Sequence, residues 1–156
     1  MPRSRRHPQQ HFVNIQEVPK DSTERQNYFL NKASQLAIRS NLNHRHGCVV
    51  VNGQTNEIIS TGFNHTSEHL FHSFSMHAEV DALRKIKKNV DLTTAEMYVV
   101  RIGPESLGNP LKLSKPCEGC AKYILKVNIG KVYYSWSDIE YDPKSINKYK
   151  YDIHKL

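Results

Sequence analysis

Two short motifs that lie far apart in the chain constrain its fold more than any other feature of the sequence. The first is His-Ala-Glu at 77–79, and the second is Pro-Cys-Glu-Gly-Cys at 116–120. One imidazole and two thiolates are good zinc ligands, and they leave the fourth tetrahedral position open to water. A carboxylate two residues from the histidine could then move protons. A fold that brings the two motifs together therefore builds a hydrolytic site, because a structural zinc site would be closed by a fourth protein ligand.

Helix and strand signals alternate along the rest of the chain. Asp21 followed by Glu24 is typical of a helix start, and apolar residues recur at helical spacing behind it. Asn52-Gly53 between two β-branched runs predicts an antiparallel hairpin. Helices are predicted at about 22–41, 77–88 and 116–128, and strands at 48–51, 58–61, 97–102 and 132–136. Loops are predicted at 62–75 and 103–115, a short helix near 143–150, and an edge strand near 150–154.

This order of elements predicts one α/β domain. An antiparallel hairpin joined to parallel βαβ units gives a three-layer α/β/α arrangement around a mixed sheet. We expect residues 21–156 to form this single domain. Residues 1–20 are rich in Pro, Gln, His and Arg, and we expect them to form a flexible basic arm.

Composition limits the class of protein. The chain of 156 residues carries a formal net charge of +7, which suits an anionic partner such as a nucleotide or a nucleic acid. No stretch approaches the length of a membrane span, and residues 1–20 lack the apolar segment of a secretory signal. Three cysteines, two of them in a Cys-x-x-Cys step, indicate a metal site rather than a disulfide framework. We therefore expect a cytoplasmic, reducing compartment and no membrane partner.

The two motifs fall at the starts of two predicted helices. His77 opens one helix and Cys117 opens the other, and Cys117 and Cys120 share one helical face. The positive ends of the two helix dipoles favour thiolate over thiol. His77, Cys117 and Cys120 are therefore the candidate metal ligands, and Glu79 is the candidate proton carrier. A chance Cys-x-x-Cys and a thioredoxin-like redox pair are the alternatives, and the order and placement of the two motifs disfavour both.

The pairing of H-x-E with P-C-x-x-C matches the signature of zinc deaminases. On these motifs the chain resembles the cytidine/deoxycytidylate deaminase superfamily over residues 22–136. Within that span, Cys-Ala-Lys at 120–122 and Asn-Ile-Gly-Lys-Val at 128–132 look like the deoxycytidylate branch. The loop at 103–115 is longer than in compact members of the family.

The resemblance implies a zinc-dependent hydrolytic deaminase. Glu79 would protonate the ring nitrogen and then the leaving ammonia, while the three candidate ligands hold Zn²⁺. In the family an asparagine after the second strand contacts the sugar, which assigns substrate binding to Asn64. The backbone N–H of Ala78 would bind the base carbonyl, as in family members. The resemblance also implies a homo-oligomer.

The motifs and the composition leave three functions open. The first is deamination of a cytosine-type base in a free nucleoside or nucleotide, with deoxycytidylate as the first choice. The second is deamination of cytosine or adenine within RNA or single-stranded DNA, which the net charge favours. The third is a zinc-binding scaffold without activity. Glu79 disfavours the third, because a structural site needs no such carboxylate.

Several other residues have both a structural and a functional interpretation. Cys48 lies beside three valines and is predicted to be a small buried residue rather than a reactive thiol. The segment His44–His46 precedes the first strand, near the place where this fold builds a pocket wall. Three histidines of the predicted loop, His65, His69 and His72, either bind a metal or phosphate or are solvated. The aromatic residues Tyr133, Tyr134 and Trp136 either pack in the core or stack on a base.

Overall fold

The computed structural model describes residue 18 and residues 21–69, 72–135 and 150–152. The predicted basic arm at 1–20, apart from Val18, lies outside the described residues, as do Trp136 and all but the last residue of the predicted helix at 143–150. Within the described segments, no helix is both long enough and apolar enough to cross a bilayer.

The first helix, α1, spans Ser22–Ala37 and begins as the sequence predicts. The Asp21 carboxylate accepts hydrogen bonds from the backbone N–H groups of Thr23 at 3.0 Å and Glu24 at 3.1 Å. These bonds satisfy two of the donors that a helix start leaves without an intrahelical partner. The helix ends earlier than the predicted residue 41.

The described residues contain eight strands, six of which form the main sheet. They are β1 (Arg45–Asn52), β2 (Ile58–Phe63), β3 (His65–His69), β4 (His72–Met76), β5 (Ala95–Ile102), β6 (Leu111–Lys112), β7 (Lys131–Tyr134) and β8 (Lys150–Asp152). The main sheet has the order β2-β1-β5-β7-β8, and β6 also pairs with β5. The predicted hairpin is the antiparallel pair β1–β2, and the predicted edge strand is β8.

The sheet is mostly antiparallel. Among the described strands, β5 and β7 form the one parallel pair, and β1 runs antiparallel to β5. The parallel βαβ units that the element order suggested are therefore not confirmed as the organising pattern. The element order alone does not reveal that β5 inserts beside β1, so that β1 separates β5 from β2.

The prediction of a loop at 62–75 is wrong. β2 continues to Phe63, and β3 and β4 form a separate two-stranded antiparallel sheet with His65 opposite Met76. Most of this segment is polar and lacks the apolar alternation by which a half-buried strand is recognised. The predicted loop at 103–115 also contains a 3-10 turn at Glu105–Leu107 and the short strand β6.

Helices cover both faces of the main sheet. On one face, Val49 and Val51 of β1 pack with Phe29 of α1 in one buried cluster. On the other face, Cys48 and Val50 belong to a second cluster with buried residues of α2 (Ala78–Leu83) and α3 (Glu118–Lys126). Alternate residues of β1 thus point to opposite layers, as the pleat of a strand requires. This arrangement places the starts of α2 and α3 on the same face of the sheet.

Candidate active site

The three candidate metal ligands lie together where α2 and α3 begin. His77 is the N-cap residue of α2, and Cys117 is the N-cap residue of α3. The His77 Nδ1 atom lies 3.2 Å from the Cys120 Sγ atom and 3.6 Å from the Cys117 Sγ atom. The three ligand atoms all lie within 4.8 Å of one another. One ion could therefore contact all three.

The donor set and its spacing fit zinc. Zinc binds sulfur at about 2.3 Å and histidine nitrogen at about 2.0–2.1 Å, so at tetrahedral angles two such atoms lie about 3.6 Å apart. The separations of His77 Nδ1 from the two sulfur atoms, 3.2 and 3.6 Å, are close to that value. A site with three protein ligands also has room for a fourth, exchangeable one.

The start of α3 prepares its two cysteines for this role. The backbone N–H of Cys120 points at the Cys117 Sγ atom at 3.5 Å, so the thiol stands where a capping oxygen would. The positive end of the helix dipole favours negative charge at this helix start. Burial acts the other way on Cys120, because it raises the pKa of that thiol. A bound cation would offset the burial effect, since metal coordination deprotonates a thiol.

Glu79 lies in the first turn of α2, two residues from His77. Its side chain is 5% exposed and lines a cavity of about 450 Å³ beside the three candidate metal ligands. Burial raises the pKa of the Glu79 carboxyl, although its own backbone N–H, the positive charge on His77 and the Cys120 thiol oppose this effect. A carboxyl whose pKa is raised toward neutrality is suited to accept and then donate a proton.

The cavity wall is assembled from segments far apart in the chain. His44, which precedes β1, and His46, the second residue of β1, contribute to it together with Asn64 and Ala78. Arg45 does not line the cavity; its guanidinium instead donates hydrogen bonds to the Gly103 carbonyl and the Asn109 side chain.

Four polar residues that the sequence did not identify as candidates also line the cavity, namely Ser75, Arg101, Ser114 and Lys115. One signal could have found Arg101, because it is the single charged residue in the apolar run 97–102.

Asn64 is 8% exposed and holds residues 44–46, at the start of β1, in place. Its Oδ1 atom accepts a hydrogen bond from the His46 N–H at 2.7 Å, and its Nδ2 group donates to the His44 carbonyl at 2.5 Å. The Asn64 side chain therefore fixes this part of the cavity wall, whatever it contributes to substrate binding.

His46 is a neutral group in the cavity wall. Burial lowers the pKa of His46 to about 4, and the nearby positive charges of Arg101 and His77 act in the same direction. The His46 Nδ1 atom lies 3.2 Å from the His44 carbonyl oxygen. Because a carbonyl only accepts, Nδ1 carries the proton in this bond, and Nε2 is left as an acceptor.

The predicted loop at 62–75 contains His65, His69 and His72, and the structure describes the side chain of His65. The His65 Nε2 atom lies 3.5 Å from a carboxylate oxygen of Asp81, and His65 does not line the cavity. Asp81 is 2% exposed and also accepts hydrogen bonds from the Phe63 N–H and from Arg84. The network links β2 and β3 to the helix that carries Glu79. The side chains of His69 and His72 lie outside the described part of the chain, so a metal or phosphate role for them stays a prediction.

Two buried serines hold the segment that leads into the second motif. The Ser114 hydroxyl donates to the Val99 carbonyl at 2.8 Å, and the Ser135 hydroxyl donates to the Lys112 carbonyl at 2.6 Å. The Ser135 N–H also donates to the Ser114 hydroxyl oxygen at 2.8 Å. These bonds fasten residues 112–114 to the main sheet, just before Pro116 and Cys117.

Core residues outside the cavity follow the structural interpretation. Cys48 is fully buried in the cluster beneath α2 and α3, as predicted. Tyr133 is 3% exposed and stacks on Tyr98 with ring centroids 4.8 Å apart. Tyr134 is also buried, and neither Tyr133 nor Tyr134 lines the cavity.

Comparison with known proteins gives one family match and several similar folds. Residues 23–136 match the family described as the cytidine and deoxycytidylate deaminase zinc-binding region. The dCMP deaminase of cyanophage S-TIM5 in apo form aligns with a TM-score of 0.56 and 21% identity, covering 81% of this chain and 93% of that one. The same enzyme in complex with dCMP and dUMP aligns with a TM-score of 0.50 and 23% identity, covering 69% of this chain and 78% of that one.

A cytidine deaminase from Burkholderia pseudomallei aligns with a TM-score of 0.54 and 13% identity, covering 74% of this chain and 87% of that one. At these identities the structural likenesses establish the fold alone. No curated protein shows a significant match to the sequence.

Proposed function

The chain belongs to the cytidine and deoxycytidylate deaminase family, a zinc-binding family, and from this premise we propose that it hydrolyses the amino group of a cytosine-type base in a free nucleoside or nucleotide. Deoxycytidylate is our first choice of substrate, with deoxyuridylate and ammonia as products. The observation that carries the proposal is the buried carboxyl of Glu79 in a cavity beside His77, Cys117 and Cys120.

We propose that His77, Cys117 and Cys120 hold Zn²⁺. Zinc bound to such a set lowers the pKa of water toward neutrality and so makes it a nucleophile. In our proposal Glu79 takes a proton from the attacking water and delivers it to the ring nitrogen beside the carbon that bears the amino group. Glu79 then takes the second proton of that oxygen, now a hydroxyl on the same carbon, and passes it to the departing nitrogen. The C–N bond breaks, ammonia leaves, and the base keeps the oxygen as a carbonyl.

The remaining wall residues are suited to hold the substrate. The backbone N–H of Ala78 belongs to the first turn of a helix, whose N–H groups have no intrahelical acceptor. We propose that this N–H binds the base carbonyl. Asn64 is our proposed sugar contact, because its amide oxygen has a second lone pair beyond the one bonded to His46. The S-TIM5 dCMP deaminase structure with dCMP and dUMP supports a nucleotide as the substrate class.

An ammonia-release screen tests the proposal. The zinc-loaded protein is assayed with cytidine, deoxycytidine, their monophosphates, adenosine, guanine and short oligonucleotides. We expect turnover of a cytosine compound and a fall of about 10²–10⁴-fold in Glu79→Gln, the range for loss of a general acid–base group. Glu118→Gln is the matched control, since Glu118 lies between the two cysteines but is 86% exposed.

Zinc content and the melting temperature are measured for each variant, so that loss of metal or fold is recognised. A Glu79→Gln protein that releases ammonia as fast as its parent would refute the mechanism. Deamination within RNA or single-stranded DNA is the second candidate, favoured by the net charge of +7. Turnover of oligonucleotides with steep salt dependence, and none of mononucleotides, would establish it instead. We further propose that the active form is a homo-oligomer, which light scattering would test.

A further inference from the structure

Arg101, near the end of β5, is a cation that the proposed chemistry does not use. It is partly exposed and lines the cavity. Its Nε atom is shut off from solvent and has no hydrogen-bond partner among the described residues. A buried donor without an acceptor is rare in proteins, because it loses its bond to water and gains nothing in return. The Nε–H of Arg101 therefore lacks the acceptor that would fix the guanidinium within the protein, which favours a role for this side chain in binding an acidic ligand in the cavity that it lines.

The position of Arg101 places that ligand in the cavity beside the candidate metal ligands. Arg101 pairs with His46 across β1 and β5, two residues along from the pair Cys48 and Val99. Cys48 and Val99 face α2 and α3 in the core. By the two-residue period of a strand, Arg101 and His46 point to the same side of the sheet as those helices.

The position of His46 gives the order of these groups. His46 is the cross-strand partner of Arg101, and both residues line the cavity together with His77. His46 thus lies near both the candidate metal ligand and Arg101. A substrate whose base is held at Glu79 could therefore extend past His46 and bring a second polar group to Arg101.

The charges around the cavity favour an anion at that second position. Lys115 lines the cavity as well, and among the described lining residues Glu79 is the one carboxylate. A guanidinium presents its N–H donors in a fork that matches the oxygens of a phosphate. A phosphate monoester carries a charge of about −1.5 to −2 and three acceptor oxygens.

We propose that Arg101 binds the phosphate monoester of a free nucleotide and makes the site select nucleotides over nucleosides. This inference rests on the proposed function, since it names the part of the substrate that distinguishes deoxycytidylate from deoxycytidine. A phosphodiester within a nucleic acid shares the chemistry, and the experiment separates the two sources.

The test is a binding measurement that needs no turnover. Calorimetry on the zinc-loaded protein compares deoxyuridylate, deoxyuridine and a short single-stranded oligonucleotide containing deoxyuridine. We expect the parent to bind deoxyuridylate at least about 30-fold more tightly than deoxyuridine, as for a charge-assisted pair removed from water. Arg101→Gln should lose at least about 30-fold for deoxyuridylate and less than about 3-fold for deoxyuridine.

Two further variants keep the result interpretable. Arg101→Lys retains the positive charge but not the forked N–H donors of the guanidinium, and it should show an intermediate loss of affinity for deoxyuridylate. This variant also provides the test if Arg101→Gln does not fold. Lys122→Gln removes one positive charge from an exposed position, where the side chain is 74% exposed, and should bind both ligands as the parent does.

Equal losses for deoxyuridylate and deoxyuridine in Arg101→Gln, or a parent that does not discriminate between them, would overturn the inference. Binding of the oligonucleotide in preference to deoxyuridylate would also overturn it, in favour of a phosphodiester. Failure of the proposed function gives a different result. The protein would release no ammonia from any cytosine compound, while a preference for deoxyuridylate that depends on Arg101 would persist.

Discussion

Gly62 lets the strand β2 approach the helix that carries the candidate catalytic carboxyl. A methyl group built at Gly62 would lie 2.5 Å from the Ala78 carbonyl oxygen and 2.6 Å from the Ala82 backbone nitrogen. Both atoms belong to the backbone of α2, so no side-chain rotation relieves the contact. Ordinary contacts of such a carbon begin at 3.4 Å. In Gly62→Ala the helix and the strand must therefore separate by about 0.9 Å.

The size of the effect follows from this separation. Forcing an extra methyl group into a packed interior costs about 1–3 kcal/mol. For a domain of this size, that corresponds to a fall in melting temperature of roughly 3–10 °C. The same shift moves Ala78 and Glu79 relative to Cys117 and Cys120 on α3. A displacement of about 1 Å in a catalytic group lowers the rate by about 10²-fold. We therefore expect a larger loss of activity than the modest loss of stability suggests.

The assay pairs Gly62→Ala with Gly119→Ala, which adds the same methyl group in α3. Nothing lies within 4 Å of the carbon built at Gly119, and alanine favours a helix over glycine by about 0.5–1 kcal/mol. Melting temperature, zinc content and ammonia release are measured for both variants. We expect Gly119→Ala to be neutral or slightly stabilising. If Gly62→Ala melts like its parent and deaminates as fast, the close approach of β2 and α2 does not position the site.

Two further perturbations follow from particular side chains. Burial alone would raise the pKa of Asp81, but hydrogen bonds from Arg84 and the Phe63 N–H outweigh it and lower the pKa below its ordinary 3.8. A lowered pKa in the folded state stabilises above the unfolded pKa and is lost as the pH falls through the folded one. Asp81→Asn should therefore cost about 1–3 kcal/mol in urea unfolding at pH 7 and less below about pH 4, and a pH-independent cost would contradict this account. Chelation or Cys120→Ala should remove zinc and lower the melting temperature. Cys48→Ala is the control, and elemental analysis should show that it keeps stoichiometric zinc. Loss of zinc in the Cys48 variant would place Cys48 in the metal site.

The sequence predicts the local parts of this structure because their signals are local. A cap, a β-branched run and a proline at a helix entry are each signals of a few residues, and α1, the β1–β2 hairpin and α3 follow from them. The positions of the two motifs in the fold are also predictable, because each motif lies at a helix start that the sequence reveals. The strands β3 and β4 were missed for a physical reason. They pair with each other rather than with the main sheet, so the pairing leaves no apolar alternation in the sequence.

The rest of the site depends on pairings between segments that no local pattern specifies. Arg101 enters the cavity because β5 pairs with β1 in a register that sets it opposite His46. Asp81 supports α2 because β2 ends beside it and supplies the Phe63 N–H. Arg101 is a charged residue in the run 97–102, which is predicted to be a buried strand, and Asp81 is a charged residue that the fold buries. Such exceptions to the hydrophobic pattern are expected at functional or supporting positions, and they are the residues that a reading of motifs alone leaves out.

Asn64 shows how one residue can serve both the fold and the substrate. Its amide bonds both the His46 N–H and the His44 carbonyl, so the cavity wall before β1 is held by the same side chain that we propose contacts the sugar. An asparagine can do this because its amide carries two donors and two lone pairs, of which the wall uses one of each. An aspartate would keep the acceptor but lose the donor to His44, and it would add a second carboxylate to the cavity wall. This position therefore requires a neutral group that both donates and accepts.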